Sequence, residues 1–415
     1  MVELPKEFID YTRKLMGEER FARFLAAFDE EAPVSIRLNP SKDQSSISAG
    51  QLQAHNSKLI TKEVPWCPLG FYLSSRPNFT FDPLLHAGCY YVQEAASMFI
   101  HHILTQQAIL SPIVTVHSPL KVLDLCAAPG GKSTCAISAL PEGTELWSNE
   151  PVRQRASILS ENIQKWGYPH CHVTNCYPRD YVRSGMTFDV ILCDVPCSGE
   201  GMFRRDPLTI GEWSSQNVEK CWRLQREIMA DAWQCLRPGG IIIYSTCTFN
   251  TKENEENVRW MQEELDAELL PVEIRPEWNI TGSLLPGFRG PVYRFIPGIT
   301  RSEGLFVAVM RKADGPTPKN KKPQSPKTIF DSTQPKEQSV GYADVDYPTA
   351  IAYLRGEALT LPSDTPRGLI TITFQGHVLG QAKNIGTRAN NLYPKEWRIK
   401  STHIPQEYET IFRPA

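Results

Sequence analysis

The stretch VLDLCAAPGGKST, residues 122–134, decides the fold of this chain. An apolar run that contains one acid predicts a buried strand, CAAPGG predicts a tight loop, and KST opens a helix. A strand that passes through a glycine-rich turn into a helix is typical of the first unit of a ligand-binding α/β sheet. Further strands, separated by helical patterns, are predicted at TELWSNE, HVTNC, FDVILCDVP, IIIYSTC and GLFVAVMRK. This alternation predicts an α/β fold with a doubly wound, mostly parallel, Rossmann-like sheet.

The composition along the chain predicts four segments. Residues 1–88 form a small α/β domain, with helical patterning over Pro5–Ala27 and a strand at VSIRLNP (34–40). Residues 89–313 hold the sheet and begin with a helix predicted over YYVQEAASMFIHHIL (90–104). Residues 314–340 are rich in proline and lysine, which is typical of a flexible linker. Residues 341–415 form a small β-rich module, because LITITFQG alternates as a strand does.

Charge and cysteine content exclude several classes of protein. The 415 residues carry a formal net charge of -2, so any nucleic-acid surface must be a local patch. No run of 18 apolar residues predicts a membrane span, and MVELPKEFIDYTRKL predicts an amphipathic helix rather than a secretion signal. The 11 cysteines form no CxxC pair, which argues against a zinc site or a disulfide framework. We therefore expect a cytoplasmic protein without a metal and without membrane contact.

The glycine loop permits two interpretations. Gly131, Lys132 and Ser133 imitate the end of a phosphate-binding P-loop, but that motif needs a glycine where Cys126 stands. The alternative is a cofactor loop, in which the glycines let the backbone approach the ligand. Glu150 ends the next strand, where an acid would hold ribose hydroxyls. Loop and acid together favour a nucleotide cofactor over an NTPase and over an ordinary tight turn.

Two cysteines follow two different strands of the predicted sheet. Asp194 and Cys197 lie in DVPCSGEG, and Cys247 lies in YSTCTF. Carboxyl ends of parallel strands share one edge of the sheet, so these side chains should face the crevice of the glycine loop. A cysteine is more often a plain core residue, but such residues would more naturally lie inside strands, as Cys193 does. The pattern therefore favours a chemical role for Cys197 and Cys247.

At this point the motifs resemble a known family. LDLCAAPGGKST, DVPCSGEG and YSTCTFNTKENEENV are similar to the signatures of the RNA (cytosine-5) methyltransferases of the Nop/Sun group, most of all its bacterial branch that methylates ribosomal RNA. SIRLNPSK, YYVQEAASM, YRFIPG and EGLFVAVMRK resemble further motifs of that family, and HVLGQAKNIGTRANNLYP resembles its PUA-like C-terminal module. The resemblance covers nearly the whole chain. The paired PC and TC cysteines separate this family from the DNA cytosine methyltransferases, which use the PC cysteine.

The resemblance implies S-adenosylmethionine as the cofactor. Glu150 would take the ribose hydroxyls, and Asp194 would lie beside the methionine moiety and the base. The family usually has an aspartate near the adenine, whereas VTNCYPRDY places Tyr177 there, between Asn175 and Asp180. The residues that the resemblance assigns to cofactor binding are Cys126, Ala127, Ala128, Pro129, Gly130, Gly131, Lys132, Glu150, Arg155, Tyr177 and Asp194.

The resemblance also implies a covalent mechanism. Cys247 would add to carbon 6 of cytosine and make carbon 5 nucleophilic, while the hydroxyls around Cys247 keep its surroundings polar. Cys197 would help to remove the carbon-5 proton and release the thiol. Asp194 would hydrogen-bond the ring. Lys132 would either assist the chemistry electrostatically or hold the cofactor loop, and the sequence favours neither.

The implied substrate is RNA, namely 16S rRNA or the small ribosomal subunit, bound by a monomer. A tRNA methyltransferase of the same family, and a non-catalytic RNA-binding assembly factor, are the rival interpretations. The aromatic run WCPLGFYL (66–73) could stack on bases, although core packing is favoured. Basic side chains that could meet phosphates, or equally lie in solvent, are Arg37, Lys42, Arg204, Arg205 and Lys252.

Overall fold

The N-terminal part of the chain consists of two short helices and an antiparallel sheet. The computed structural model describes residues 3–42, 59–114, 119–315, 325–334, 337–401 and 411. Helix α1 (Lys6–Met16) and helix α2 (Glu18–Ala26) are separated at Gly17, whose φ of +75° interrupts the single helical pattern predicted there. The sheet has the order β2-β3-β1-β4 and contains β1 (Ser35–Leu38), β2 (Ile60–Val64), β3 (Cys67–Leu73) and β4 (Tyr90–Val92).

The prediction of a helix over residues 90–104 is wrong for the first residues of that range. Tyr90–Val92 form β4, which pairs with β1 through Ile36↔Val92 and Leu38↔Tyr90. Aromatic and β-branched side chains favour this pleated pairing, and the helical pattern holds only further on. Helix α3 (Pro83–His86) precedes β4, and α4 (Phe99–Thr105) and α5 (Gln107–Val114) follow it.

The central sheet confirms the predicted fold class. Its order is β10-β12-β9-β8-β5-β6-β7-β13, and β11 pairs with β12. The pairs between β9 and β7 are parallel, whereas β12 and β13 run antiparallel to their neighbours. The strands are β5 (Lys121–Asp124), β6 (Glu145–Asn149), β7 (Cys171–Thr174), β8 (Phe188–Asp194), β9 (Leu236–Thr246), β10 (Glu268–Leu269), β11 (Tyr293–Phe295), β12 (Leu305–Arg311) and β13 (Thr328–Asp331).

Helices cover both faces of this sheet, so that its strands are apolar throughout. Val190, Leu192 and Ile243 pack into the core on one face, while Ile191 and Ile242 pack into the core on the other. The helices between the strands are α6 (Gly131–Ile137), α7 (Arg153–Trp166), α8 (Pro178–Ser184), α9 (Leu208–Glu212), α10 (Ser215–Cys235) and α11 (Glu255–Leu265).

Part of the predicted linker belongs to the central sheet. Thr328–Asp331 pair antiparallel with β7, and Asn175 N donates to Lys327 O over 3.0 Å. His172 of β7 lies 3.3 Å from Asp331, which adds a polar contact to the pairing. Residues 316–324 of this segment lie outside the described residues. The domain boundaries after residues 88, 313 and 340 stay predictions.

The C-terminal module packs on the N-terminal sheet. Its sheet has the order β14-β15-β16-β17, and its side chains share one apolar core with Ile36 and Phe71. Tyr347 Oη donates to Phe81 O over 3.1 Å, which joins the two parts. Among the described residues no helix is both long and apolar enough to cross a membrane. The elements of the module are β14 (Gly341–Asp344), α12 (Tyr347–Leu354), β15 (Gly368–Phe374), β16 (His377–Asn384) and β17 (Ala389–Asn391).

Six short 3-10 helices occur in the described parts of the chain. The one at Glu200–Met202 matters most for function, because it directly follows Cys197. The others lie at Ala27–Asp29, Phe79–Phe81, Ala96–Met98, Pro276–Trp278 and Lys395–Trp397.

Candidate active site

The glycine loop joins β5 to α6 at the carboxyl edge of the central sheet. Ala127 N donates to Asn149 O over 2.8 Å, which ties the loop to β6. Gly130 has a φ of +112°, a conformation that side chains disfavour. A Cβ at Gly130 would also lie 3.2 Å from Leu159 Cδ1, whereas a Cβ at Gly131 would make only an ordinary contact, 3.4 Å from the ring of Tyr91. The loop is therefore shaped to approach a ligand through its main chain.

A buried acid that the sequence analysis did not select supports this loop. Asp124 is fully buried, and its Oδ2 accepts from Ser133 Oγ over 2.7 Å. Burial raises the pKa of Asp124 to about 7. The interaction fixes the first turn of α6 beneath the loop. The acid inside the apolar strand was itself a signal in the sequence. Burial of a carboxyl group costs free energy unless hydrogen bonds compensate for it, so such a residue is expected to have a structural or functional role.

Glu150 and Arg155 form one unit at the end of β6. Glu150 is 1% exposed, and its Oε1 accepts from Val152 N over 2.9 Å. Arg155 Nη1 lies 3.2 Å from Glu150 Oε2, and Arg155 Nη2 donates to Ala128 O over 3.2 Å. The arginine therefore connects the acid with the glycine loop. Glu150 places a carboxylate where the ribose of a cofactor would need one, and Arg155 holds that carboxylate. The roles of both residues in cofactor binding stay predictions.

Tyr177 begins helix α8 and is 65% exposed. Tyr177 N donates to Asp180 Oδ2 over 3.0 Å, so the acid caps the helix. Asn175 Nδ2 donates to Glu150 O and Pro151 O, over 2.8 and 2.9 Å, which holds the ends of β6 and β7 together. The flanking Asn175 and Asp180 are therefore engaged in the fold, whereas the ring of Tyr177 can take up a stacking partner.

Lys132 and Asp194 form an ion pair between the loop and the end of β8. Their Nζ and Oδ2 atoms are 2.9 Å apart, and Asp194 Oδ1 accepts from Ser245 Oγ over 2.7 Å. Burial is the largest single influence on the pKa of Lys132 and would lower it, but the charge and hydrogen bond of Asp194, together with smaller contributions from Cys247 and Asp124, raise that pKa overall. The sulfur of Cys247 adds to this effect, so it lies within electrostatic reach of the ammonium group. The pair is thus a fixed dipole beside the thiol.

The two cysteines that follow β8 and β9 meet in space. Cys197 Sγ and Cys247 Sγ are 3.3 Å apart, and both residues are partly exposed. Contact with the sulfur of Cys247, followed by burial, raises the pKa of Cys197 well above its ordinary value. Cys197 therefore holds its proton tightly while the second sulfur is free. The predicted convergence of Cys197, Cys247, Asp194 and Lys132 is what the described residues show.

The hydroxyls around Cys247 brace the strand end. Ser245 binds Asp194, as described above, and Thr246 Oγ1 donates to Asn254 Oδ1 over 2.6 Å. Thr248 Oγ1 lies 3.0 Å from Ser198 Oγ, which connects the two cysteine segments. Ser245, Thr246 and Thr248 are at most 1% exposed, and their hydrogen bonds hold the backbone around Cys247 in place.

Two buried carboxylates clamp the cysteine segments to each other. Glu200, which follows Cys197, accepts from Phe249 N (2.6 Å) and Asn250 N (3.1 Å), which follow Cys247. Glu253, in the second segment, accepts from Ser198 N (3.0 Å) in the first. We call Glu200 and Glu253 the cross-clamp. The cross-clamp was not predicted from the sequence. Its two glutamates are 53 positions apart, from 200 to 253, and a pair at this separation forms no local pattern.

The substitution Glu253→Gln is expected to lower the free energy of unfolding by about 1–3 kcal/mol near pH 5. The carboxyl group of Glu253 faces Ser198 N, Gln225 Nε2 and Asn250 Nδ2, all of which donate to it. The acid, protonated at this pH, keeps acceptor lone pairs on both oxygens, whereas the amide nitrogen accepts no hydrogen bond and would turn its hydrogens toward one of these donors. Urea denaturation of both proteins measures the effect, and Glu264→Gln, an exposed change on α11, is the control.

The same difference is expected to shrink near pH 8. Burial raises the pKa of Glu253 from 4.5 to about 7. The folded protein then holds a proton that the unfolded chain has lost, so ionisation between these values reduces the stability of the wild type as pH rises. The amide does not ionise. A difference that widens from about pH 5 to about pH 8 would contradict this assignment.

Four of the five basic residues singled out in the sequence are engaged within the protein. Arg37 is fully buried and donates to Gln93 Oε1 over 2.7 Å, so the interpretation as a phosphate contact is wrong for it. Arg204 pairs with Glu303 over 2.8 Å, Lys252 pairs with Glu219, and Lys42 Nζ donates to Ala87 O. The fifth, Arg205, is exposed.

The aromatic run WCPLGFYL lies in the core, as favoured. Trp66, Phe71 and Tyr72 are at most 3% exposed, and Trp66 Nε1 donates to Ala95 O over 2.7 Å. None of these three rings is available for stacking on a base.

Three family models match the chain in succession. The N-terminal domain of 16S rRNA methyltransferase RsmF matches residues 4–95, and 16S rRNA methyltransferase RsmB/F matches residues 113–311. The methyltransferase RsmF PUA domain matches residues 343–399. The second match contains the glycine loop, both cysteines and the cross-clamp.

Curated relatives and solved structures agree with these models. Ribosomal RNA small subunit methyltransferase F of Pectobacterium atrosepticum is 32% identical over 76% of this chain and 64% of its own length, and that of Escherichia coli O81 is 33% identical over 77% and 66%. The chain thus spans slightly less than two thirds of these relatives. A methyltransferase homolog from Pyrococcus horikoshii is 26% identical, with a TM-score of 0.60, over 75% of this chain and 96% of its own. NSun6 from Pyrococcus horikoshii with SFG shares the fold, with a TM-score of 0.61 at 21% identity over 75% and 99% of the two chains.

Proposed function

Because this chain belongs to the RsmB/F family of 16S rRNA methyltransferases, we propose that it methylates carbon 5 of a cytosine in RNA, with S-adenosylmethionine as methyl donor and 16S rRNA as substrate. One observation carries the proposal. Two thiols from different strand ends, Cys197 and Cys247, lie 3.3 Å apart beside the Lys132–Asp194 ion pair. Two converging sulfurs suit a reaction in which one forms a bond to the base and the other helps to break it.

The residues at the sheet edge fit S-adenosylmethionine. The glycine loop, residues 126–131, offers backbone, and Gly130, whose φ is +112° and where a Cβ would lie 3.2 Å from Leu159 Cδ1, is the position that disfavours a side chain. The carboxylate of Glu150 would hold the ribose hydroxyls, Arg155 would keep that carboxylate in place, and Tyr177 would stack on the adenine. When bound, S-adenosylmethionine supplies a methyl group on a positively charged sulfur.

The first task of the protein is to activate the base. Cys247 loses its proton to solvent, and its thiolate forms a bond to carbon 6 of cytosine while the double bond between carbons 5 and 6 opens, which makes carbon 5 electron-rich. Carbon 5 would then take the methyl group, and the donor would leave as the neutral thioether S-adenosylhomocysteine. Lys132 would donate a hydrogen bond to the ring atoms on which negative charge develops, and the carboxylate of Asp194 would accept one from the exocyclic amine of the base. The base must leave its stack to reach this crevice, so a flexible or unpaired RNA segment is required.

The second task is to release the product. The contact with the Cys247 sulfur is the largest cause of the raised pKa of Cys197. Once Cys247 is bound to the base, its sulfur would no longer be an ionisable neighbour of Cys197. Cys197 then gives its proton to water more readily and can accept the proton of carbon 5. The bond between carbon 6 and Cys247 breaks as the ring double bond reforms. Both cysteines belong to the same chain, so one copy of the protein holds both thiols.

The test is methylation by the purified protein. We expect it to transfer a labelled methyl group to a 16S rRNA transcript or to small ribosomal subunits, and nucleoside analysis to identify 5-methylcytosine. Transfer to tRNA alone would replace the proposed substrate by the rival one. Binding of the same RNAs without any methyl transfer would favour a non-catalytic assembly factor. Methyl transfer to another atom of the base would contradict the two-thiol chemistry.

A further inference from the structure

A polar groove lies between the N-terminal sheet and the central domain. Its volume is about 630 Å³. One wall is formed by the ends of β1, β3 and β4, and the other by the segments around residues 204–205 and 301–303. The arginines that line it are Arg76, Arg204, Arg205 and Arg301, and we call it the arginine groove.

Three of these arginines present charge to solvent. Arg76, Arg205 and Arg301 are exposed, and the structure gives none of them an ion pair with any residue that it describes. The guanidinium of Arg301 lies 4.2 Å from the ring centre of Tyr72, and that of Arg76 lies 5.5 Å from that of Phe79. Stacking on aromatic rings holds a guanidinium in place while its donors stay free for an anion.

The acids of the groove do not cancel this charge. Arg204 already pairs with Glu303, and burial, together with nearby Glu94, raises the pKa of Glu303 to about 7 despite that arginine. Burial likewise raises the pKa of Glu94. The exposed carboxylate of the lining is Glu31. Three free guanidinium groups therefore face one exposed carboxylate.

The arginine groove adjoins the candidate active site. Glu94 lines the groove, its Oε1 accepts from Glu303 N, and its Oε2 accepts from Ser97 N, each over 3.0 Å. Ser97 Oγ in turn lies 3.5 Å from Lys132 Nζ. On the other side, Gly201 N donates to Cys247 O over 2.7 Å, three residues before Arg204. A short chain of hydrogen-bonded residues thus separates the groove from the candidate active site on both sides.

We propose that the arginine groove binds the phosphate backbone of single-stranded RNA directly beside the cytosine that is methylated. The inference rests on the proposed function, because it assigns the path of that substrate. An extruded base carries its neighbouring phosphates to the rim of the crevice, and guanidinium groups are the side chains best suited to bind them. Arg76 and Arg301 act from two different domains, so bound RNA bridges them.

The test compares two triple variants of the full chain. Arg76→Gln with Arg205→Gln and Arg301→Gln removes the free charges of the groove. Arg223→Gln with Arg259→Gln and Arg289→Gln removes three exposed arginines elsewhere and is the matched control. Binding of a 16S rRNA transcript is measured by filter retention at several salt concentrations, together with methyl transfer and binding of S-adenosylmethionine.

The groove variant is expected to lower the slope of log affinity against log salt by about 2, since each single-strand phosphate contact contributes about 0.7. Between about 50 and about 200 mM salt, the wild type should therefore lose roughly 20-fold more affinity than the variant does. S-adenosylmethionine should bind both triple variants as it binds the wild type.

Three outcomes would overturn the groove assignment. The control variant could lose as much of the slope as the groove variant does, or the groove variant could keep the wild-type slope. The groove variant could also lose affinity for assembled subunits only, which would identify a protein partner instead of RNA. If the wild type itself transfers no methyl group to RNA, the proposed function fails, which is a different result from an active enzyme with an unaffected groove variant.

Discussion

Replacing Cys197 by alanine is expected to leave the protein covalently attached to its RNA. Cys247 would still add to carbon 6 of the target base, and the methyl group would still be transferred. The carbon-5 proton would then lack the acceptor that lies 3.3 Å from the sulfur of Cys247, so that the adduct persists. We expect turnover to fall by at least about 10³-fold, because loss of one member of a catalytic unit has effects of this size.

A denaturing gel measures this outcome directly. The Cys197→Ala protein, incubated with S-adenosylmethionine and a labelled 16S rRNA transcript, should yield a slowly migrating band. The additional change Cys247→Ala should abolish the band, and Cys89→Ala, a half-buried cysteine of the N-terminal region, should behave as the wild type. A band that survives in the double variant would assign the nucleophile to another residue. Absence of any band, with an active wild type, would reject the division of roles.

Replacing Gly201 by alanine is expected to reduce methyl transfer by about 100-fold, because a shift of about 1 Å at reacting atoms has this effect. A Cβ at Gly201 would lie 2.4 Å from Cys247 O and 3.3 Å from Glu303 O. Gly201 has no positive φ, so alanine suits its backbone and the effect is one of space alone. The segment that carries Cys247 must then move away from Cys197.

The matched control is Gly211→Ala on α9. A Cβ there would meet nothing within 4 Å, and its φ is likewise ordinary, so activity should be unchanged. Steady-state kinetics measures both variants, and binding of S-adenosylmethionine checks that the glycine loop is intact. A Gly201→Ala protein with wild-type activity would show that the distance between the two cysteine segments is not critical.

The cross-clamp and Gly201 together explain how the segments that carry Cys197 and Cys247 bring the two sulfurs into contact. Glu200 and Glu253 each accept hydrogen bonds from the opposite segment, and Gly201 lets the two backbones approach. Each carboxylate is buried, so its bonds form in a medium of low polarity and are strong. The positions of the thiols are therefore set by residues that do not take part in the chemistry.

The arginines show the opposite case, in which a local pattern misleads. Arg204 and Arg205 are adjacent and chemically identical, yet the first pairs with Glu303 and the second is exposed. Likewise, Arg37 of the motif SIRLNPSK lies in the interior, where its guanidinium group is 4.5 Å from the ring centre of Trp166. Which cation is available to RNA depends on partners from distant parts of the chain.

Local patterns in the sequence predict the α/β fold, the glycine loop and the place of two cysteines for which we propose a chemical role. Hydrophobic periodicity is a local property, and it predicts where each parallel strand ends. Because parallel strands end at the same edge of a sheet, the sequence predicts that Cys197 and Cys247 lie at one edge. The 3.3 Å between the two sulfurs, the cross-clamp and the arginine groove become visible only in the folded chain. These depend on contacts between residues far apart in the chain, and such contacts leave no pattern in the order of the amino acids.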